Sequence, residues 1–114
     1  MKSLLGKLVE INMRIYRTLR LPPLYQSGIR YARELEDYGA RKPVEDWQAV
    51  DVLYSTREGD CEDLAAARCA ELRLRGVDAR IRLTRRGRIW HVTVKVGKDR
   101  FEDPSKVLGM KGAA

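Results

Sequence analysis

The sequence predicts an α+β protein, with N-terminal helices packed on a small antiparallel sheet in one domain spanning residues 1–114. Two observations carry this prediction. Apolar residues recur mainly at helical spacing as far as Gly76, and after Gly76 they alternate with a period of two. The length of 114 residues suits a single domain, and an apolar fraction of 44% suits a modest core.

Residues 1–22 are predicted to form an amphipathic helix. Its apolar residues have helical spacing, and Pro22 and Pro23 end the segment. A basic helix of this kind can lie on a membrane surface or a partner, but packing on the core is the more frequent role. The apolar positions are Leu4, Leu8, Ile11, Ile15 and Leu19.

Two more helices are predicted before the segment STREGD (residues 55–60), which favours a turn. Ser27 is a suitable N-cap for a helix running to about Tyr38, and Gly39 would end it. Pro43 would then start a short helical turn over residues 44–54.

The clearest helical signals surround residues 61–75. Asp60 is a good N-cap, Asp63 stands three residues later, and Gly76 is the expected C-terminal stop. The stripe of apolar residues makes Cys61 the first residue of a buried face. That stripe comprises Cys61, Leu64, Ala65, Cys69 and Leu72.

Three strands are predicted after this helix. The first alternates apolar residues with arginines and ends in a turn at Arg86–Gly87. The second covers residues 89–96, and Gly97–Asp99 forms the next turn. The third covers residues 100–103 and is closed by Pro104.

The net charge of +7 favours anionic partners through long-range attraction. Specific nucleic-acid recognition is not indicated, because no basic motif is interleaved with aromatics and no helix-turn-helix pattern is present. The basic residues are expected to form a solvated rim. They are concentrated in the first two strands, at Arg80, Arg82, Arg85, Arg86 and Arg88.

Cys61 and Cys69 lie on the same predicted helix, eight positions apart. At 1.5 Å per residue their Cα atoms would be about 12 Å apart, too far for a disulfide. Free thiols suit a reducing compartment. The N-terminal residues show no uninterrupted apolar segment or cleavage site, and no stretch is apolar enough to span a membrane. We therefore expect a cytoplasmic protein.

Three residues have the chemistry of a thiol hydrolase. Cys61 begins a helix, where unpaired N–H groups favour a thiolate. His91 is the single histidine in the sequence and can act as the base. Asp103, on the next strand, can orient the imidazole.

Whether His91 meets Asp103 depends on the hairpin register. A three-residue loop centred on Gly97 places His91 opposite Asp103. A two-residue loop, Gly97–Lys98, places Val92 opposite Asp103 instead. A bulge near Asp103 would reconcile the two registers.

The motifs Gly59-Asp60-Cys61-Glu62-Asp63 and Phe101-Glu102-Asp103-Pro104, with His91 on a strand between them, are similar to the transglutaminase-like superfamily. The string GDCED most resembles bacterial transglutaminase-like cysteine peptidases, as does the position of Asp46-Trp47 upstream of it. The resemblance spans residues 31–106 and leaves the first thirty residues uncovered.

This resemblance implies a papain-like fold and attack of a thiol on an amide carbonyl through a thioester. Cys61 would be the nucleophile, His91 the general base and then acid, and Asp103 the orienting carboxylate. No cofactor would be required, but some members hold Ca²⁺ with carboxylates at positions that match Asp60 and Glu62. A cation there would offset the negative charge around the thiol. Alternatively, these acids merely suit a helix N-terminus.

The sequence is shorter than most members of these families, so we expect no second lobe to complete a deep cleft. The backbone N–H of Cys61 would be one oxyanion donor, and Gln48, Trp47 or Tyr54 would supply another. Trp47 is expected in the core, whereas Trp90 would line either the cleft or the core.

Two functions remain open at this point. One is a cysteine peptidase or amidase acting on a peptide or protein. The other is a catalytically silent module in a larger assembly, such as a phage particle, that docks a partner through its basic surface and N-terminal helix.

Overall fold

The computed structural model describes residues 2–32, 47–87 and 89–110, and it confirms the α+β fold. Along the described residues, three helices and two short strands come first, with a 3-10 turn near residue 25, and three consecutive strands and a last short helix follow. In chain order they are α1 (Lys2–Thr18), the 3-10 turn (Leu24–Gln26), β1 (Arg30–Tyr31), α2 (Val50–Thr56), β2 (Glu58–Gly59), α3 (Cys61–Leu74), β3 (Ala79–Arg86), β4 (Ile89–Val96), β5 (Arg100–Glu102) and α4 (Pro104–Val107).

Helix α1 confirms most of the predicted N-terminal helix but ends at Thr18 rather than at residue 22, and its buried face is not the predicted one. Leu4 and Ile11 of the predicted stripe are 41% and 46% exposed, while Leu8 is buried. Leu5 and Val9 are fully buried instead, because the side of α1 that carries these two residues packs against α3. Both rows have helical spacing, so only the tertiary contact selects between them. None of the helices in the described ranges is long and apolar enough to cross a membrane.

The helix predicted from Ser27 to about Tyr38 is wrong at its start. The Ser27 hydroxyl accepts a hydrogen bond from the N–H of Ile29 at 3.1 Å, and Gly28 has a φ of +83°. A right-handed helix cannot continue through that backbone conformation. Strand β1 follows and pairs in parallel with β2. The rest of the predicted helix, including Gly39, lies outside the described residues.

The helical turn predicted over residues 44–54 is confirmed only in its second half. Helix α2 begins at Val50, and the preceding Ala49 is extended. The first N–H of the helix, from Val50, donates to Oδ1 of the buried Asn12 at 3.0 Å, so a side chain of α1 caps α2. Pro43, the predicted start, lies outside the described residues.

Helix α3 follows the predicted signals closely. Asp60 is its N-cap, and Asp60 and Asp63 form a reciprocal capping box. Gly76, with a φ of +82°, follows its last turn. Local signals at both ends were therefore sufficient to place this helix.

Strands β3, β4 and β5 form one antiparallel sheet in that order. Ala79 pairs with Val96 in the β3–β4 ladder, and Val96 also pairs with Arg100 of β5. The β4–β5 loop is therefore Gly97–Asp99, centred on Lys98. Strand β5 ends one residue earlier than predicted, at Glu102.

The two faces of the sheet have different environments. One face packs on α3, with Val92 and Val94 fully buried against residues such as Ala65 and Cys69. By the alternation of side chains along a strand, the other face, called the outer face below, points away from α3. Its side chains are Arg80, Arg82, Thr84, His91, Thr93, Lys95 and Phe101.

Candidate active site

Cys61 is the first residue of α3, and its side chain is half-buried. The Asp60 carboxylate accepts from the N–H of Asp63 at 3.3 Å, and the Asp63 carboxylate accepts from the N–H of Asp60 at 3.3 Å. These two bonds fix where the helix begins and hence where the sulfur lies. In the first turn, the N–H of Cys61 also has no carbonyl acceptor within the helix.

Gly59 lets this helix begin close to α2. A Cβ at this position would lie 2.7 Å from Cδ1 of Leu53 and 3.1 Å from Cβ of Asp63. Nonbonded carbon atoms prefer about 3.5–4.0 Å. Packing beside the thiol therefore favours the glycine of the GDCED string, because a Cβ there would force the buried Leu53 side chain to move.

His91 and Asp103 are brought into direct contact. Nε2 of His91 lies 2.8 Å from Oδ2 of Asp103, and both side chains are partly buried, at 27% and 21% exposure. The other carboxylate oxygen of Asp103 accepts from the N–H of Lys106 at 3.3 Å, so Asp103 also caps α4. The cap holds the carboxylate that orients the imidazole.

Both predicted hairpin registers are wrong. In the observed register, a strand continued through Asp103 would place it opposite Thr93 rather than His91 or Val92. Asp103 instead leaves the strand, with φ −117° and ψ 88°, and Pro104 starts α4. A residue before proline is disfavoured in the helical region, so the chain bends before α4 begins. That bend, rather than cross-strand pairing or a bulge, brings Asp103 to His91.

The sulfur of Cys61 lies beside the strand that carries His91. The backbone N–H of Val92, the residue next to His91, faces it. Strand β5 pairs only with residues 94–96 of β4. In the described part of the chain, the β5 side of β4 therefore has no neighbouring strand at Val92. Within the described ranges, no hydrogen bond joins the Cys61 thiol to the His91 ring. Because Nε2 is directed at Asp103, Nδ1 is the ring nitrogen left for the sulfur.

The surroundings of Cys61 favour the neutral thiol. Burial raises the pKa of Cys61 most, the negative charge of Glu62 raises it further, the Val92 N–H lowers it, and Asp60 again raises it. The expected stabilisation of a thiolate by the helix N-terminus is therefore outweighed. Burial also raises the pKa of Cys69, to about 11, and both cysteines are free. Cys61 needs a base close by to ionise near neutral pH.

Two of the three carboxylates around Cys61, those of Asp60 and Asp63, are already engaged within the protein. Asp60 caps α3, and the fully buried Asp63 accepts from the backbone N–H of Gln48 at 2.8 Å. In the part of the chain that the structure describes, no three His, Cys, Asp or Glu residues are grouped so as to hold a metal. Calcium at Asp60 and Glu62 stays a prediction, and no chemical step below depends on a metal.

Two of the three candidates for the second oxyanion donor are engaged elsewhere. The side-chain amide of Gln48 donates to the carbonyl of Glu58 at 2.7 Å, and the hydroxyl of Tyr54 donates to the carbonyl of Pro22 at 2.7 Å. Trp47 is partly buried against the core, as expected. Its indole N–H makes no hydrogen bond with the residues described, so it remains the candidate donor.

Trp90 is not a core residue. It is 41% exposed, and the guanidinium of Arg85 lies 5.6 Å from its ring centroid. It shares a strand face with Val92, two positions earlier along β4. This places it beside the strand segment that faces Cys61, and its role in lining a cleft stays a prediction.

A partly buried polar cluster next to the site was not predicted from the sequence. Arg68 of α3 donates through Nε to Glu102 at 2.7 Å and through a terminal nitrogen to Glu71 at 3.2 Å. The Tyr25 hydroxyl also donates to Glu102, at 2.7 Å, and the N–H of Leu24 donates to Glu71 at 2.8 Å. Because Glu102 precedes Asp103, the cluster ties the end of β5 to the helix that carries Cys61. The signal available in the sequence was Arg68 and Glu71, two charged residues three positions apart on the otherwise alanine-rich buried side of α3.

One of three comparisons with known proteins finds a match. The family model of the transglutaminase-like superfamily matches residues 14–100, which is more than half of the chain. The matched range contains Cys61 and His91 and ends shortly before Asp103. No match is found among curated proteins or among solved structures. The chain belongs to the transglutaminase-like superfamily.

Proposed function

We propose that this protein is a thiol-dependent amide hydrolase in which Cys61 is the nucleophile, His91 the base and acid, and Asp103 the orienting carboxylate. The observation that carries the proposal is the 2.8 Å contact between His91 and Asp103, next to the Val92 N–H that faces the Cys61 sulfur. Membership of the superfamily supports it, since the cysteine and histidine lie in the matched region in the expected order.

The reaction begins with proton transfer from the thiol. With Nε2–H of His91 donating to Asp103, Nδ1 accepts the proton of Cys61. The thiolate attacks the amide carbonyl, and a carbon–sulfur bond forms as the carbonyl oxygen takes up negative charge. The N–H of Cys61, with the indole N–H of Trp47 as a second donor, stabilises that oxyanion.

The intermediate then breaks down in two stages. The carbon–nitrogen bond breaks as His91 returns its proton to the leaving amine, which leaves a thioester on Cys61. Water attacks the thioester carbonyl while His91 accepts a proton from the water. The carbon–sulfur bond then breaks, and His91 returns the proton to the sulfur of Cys61. An amine in place of water would give transfer instead of hydrolysis.

The alkylation rate of Cys61 tests the proposal. Because the pKa of Cys61 is raised, reaction near neutral pH depends on base assistance from His91. We expect iodoacetamide to label Cys61 at least about tenfold faster in the wild-type protein than in His91→Ala between pH 7 and 8. Mass spectrometry of the peptides distinguishes Cys61 from Cys69. Lys95→Ala, on the same face of β4, is the matched control and should label at the wild-type rate.

A second function is favoured by the raised pKa of Cys61 and by the absence of a Cys61–His91 hydrogen bond from the described part of the chain. In this alternative the chain is a catalytically silent module that serves as a structural or assembly component, for example of a phage particle. Equal and slow labelling of Cys61 in the wild-type protein and in His91→Ala would select it and reject the hydrolase.

A further inference from the structure

The outer face of the sheet carries several cations beside the proposed site. Arg80, Arg82 and Lys95 all project from this face and are exposed. None of the outer-face side chains named above is a carboxylate, and Asp78 and Asp103, which contact residues of this face, are paired with Arg80 at 3.4 Å and with His91. The unbalanced charge of the face is therefore positive.

Arg82 and Phe101 form a bridge across the middle strand. The guanidinium carbon of Arg82, on β3, lies 4.2 Å from the ring centroid of Phe101, on β5, and Phe101 is 50% exposed. Thr93 of β4 is the cross-strand partner of Arg82 and lies beneath this pair, 7% exposed. The bridge leaves a cation on the surface at a defined position.

The hydroxyl of Thr93 gives a second, independent observation. Its Oγ1 is buried and has no hydrogen-bond partner within the described residues. A buried hydroxyl without a partner is unfavourable, and such groups commonly mark the position of a water molecule or ligand atom. Because Thr93 is the cross-strand partner of Arg82, a water molecule or ligand atom held by Arg82 would lie close to this hydroxyl.

The bridge is close to the proposed catalytic histidine. Thr93 and His91 point to the same face and are two residues apart, which is about 7 Å along a strand. An extended peptide also advances about 7 Å over two residues. A side chain held by Arg82 would therefore belong to a residue about two positions from an amide at His91.

We propose that the outer face binds an acidic polypeptide segment and that Arg82 holds a carboxylate of that segment. The planar guanidinium can donate two parallel hydrogen bonds to a carboxylate, and Arg80 and Lys95 add attraction on either side. Where the chain acts as the proposed hydrolase, this segment is the substrate, with its acidic residue about two positions from the cleaved amide. The binding itself does not require catalysis.

Peptide fits this face better than single-stranded nucleic acid. Proteins that bind single strands usually offer free aromatic rings on which bases stack. The ring of Phe101 is already covered by the guanidinium of Arg82, and Trp90 belongs to the opposite face of the sheet. The guanidinium is thus the recognition group, and it suits a carboxylate.

A binding experiment with the full chain carrying Cys61→Ser tests this proposal without relying on catalysis. The probes are a short fluorescein-labelled peptide containing glutamates, the same peptide with glutamines, and labelled oligothymidylate, all at about 0.15 M salt. We expect the glutamate peptide to bind about tenfold more tightly than the glutamine peptide, as measured by fluorescence anisotropy. Adding Arg82→Gln should remove most of that difference, because Arg80 and Lys95 add only general attraction.

Arg17→Gln, on the exposed surface of α1, is the matched control because it removes the same charge elsewhere. It should change the affinity for the glutamate peptide less than about twofold. Equal binding of the two peptides, or equal losses from Arg82→Gln and Arg17→Gln, would overturn the proposal. Oligothymidylate that bound more tightly than the glutamate peptide and depended on Arg82 would reassign the face to nucleic acid. Selective binding of the glutamate peptide without His91-dependent labelling of Cys61 would reject the hydrolase but retain the binding surface.

Discussion

His91 contacts Asp103 at 2.8 Å even though Asp103 lies beyond the last paired residue of β5. The contact depends on where the strand ends. Glu102, the final residue of β5, is held by Arg68 of α3, the helix that begins at Cys61. The proposed nucleophile and the group that orients the proposed base are therefore positioned by the same helix.

Substitutions of Asp103 should separate its two roles. Asp103→Asn keeps an oxygen for His91 and a good N-cap for α4, but it removes the charge that stabilises an imidazolium. We expect it to slow labelling of Cys61 at pH 7 by about tenfold, with little change in the free energy of unfolding. Asp103→Ala should slow labelling further and destabilise the protein by about 1 kcal/mol. Wild-type labelling rates in Asp103→Ala would exclude an orienting role.

Neutralising Glu62 should make Cys61 more reactive. Burial is the main cause of the raised pKa of Cys61, and the charge of Glu62 is the next. Glu62→Gln lowers that pKa, so the thiolate fraction at any pH below it increases. We expect labelling at pH 8 to become about threefold faster or more. Glu10→Gln, on the exposed surface of α1, is the control and should have no effect. An unchanged rate in Glu62→Gln would contradict the electrostatic explanation.

Loss of Arg68 should destabilise the fold. Arg68→Met leaves the carboxylates of Glu71 and Glu102 without their main cation, and the side chains of Arg68 and Glu71 are only 12% and 7% exposed. We expect the free energy of unfolding in urea to fall by about 2–3 kcal/mol at pH 7, since Glu102 is partly exposed and the cost is below that of a fully buried pair. Arg80→Met breaks the exposed pair with Asp78 and should cost less than about 0.5 kcal/mol.

The effect of Arg68→Met should also depend on pH. Burial alone would raise the pKa of Glu102, but hydrogen bonds from Arg68 and Tyr25, with the charge of Arg68, hold it below its usual value. The stability contributed by this contact is therefore complete above the unfolded pKa of about 4.3 and is lost as the pH falls through the lower folded value. The gap between the wild-type protein and Arg68→Met should narrow at about pH 3. A constant gap would argue against this linkage.

A methyl group at Gly59 should destabilise the start of α3. The added Cβ of Gly59→Ala would clash with Leu53 and Asp63, so we expect the free energy of unfolding to fall by about 1–3 kcal/mol. Gly6→Ala is the matched control. Gly6 lies in α1 with open space around it, so its substitution should stabilise the protein by up to about 1 kcal/mol. Thermal or urea unfolding of both variants would show whether the two effects have opposite signs.

The sequence by itself determined the elements with strong local signals. The Asp60–Asp63 capping box and Gly76 located α3, and the change to a period of two located the strands. The order of Cys61, His91 and Asp103 along the chain also indicated the superfamily before any geometry was known. The helix ends and the strands depend on residues close together in the chain, and the superfamily depends on a motif. Both kinds of information are present in the sequence itself.

Only the tertiary structure decided the buried face of α1, the β4–β5 register and the bend at Asp103. The rows of Leu4 and Leu5 have the same helical spacing, and packing on α3 buries the second. The register and the bend are accompanied by contacts of Glu102 with Tyr25 and Arg68, which are 77 and 34 residues away along the chain. Contacts between residues so far apart leave no periodic trace in the sequence, so the approach of Asp103 to His91 could be decided only by the folded chain.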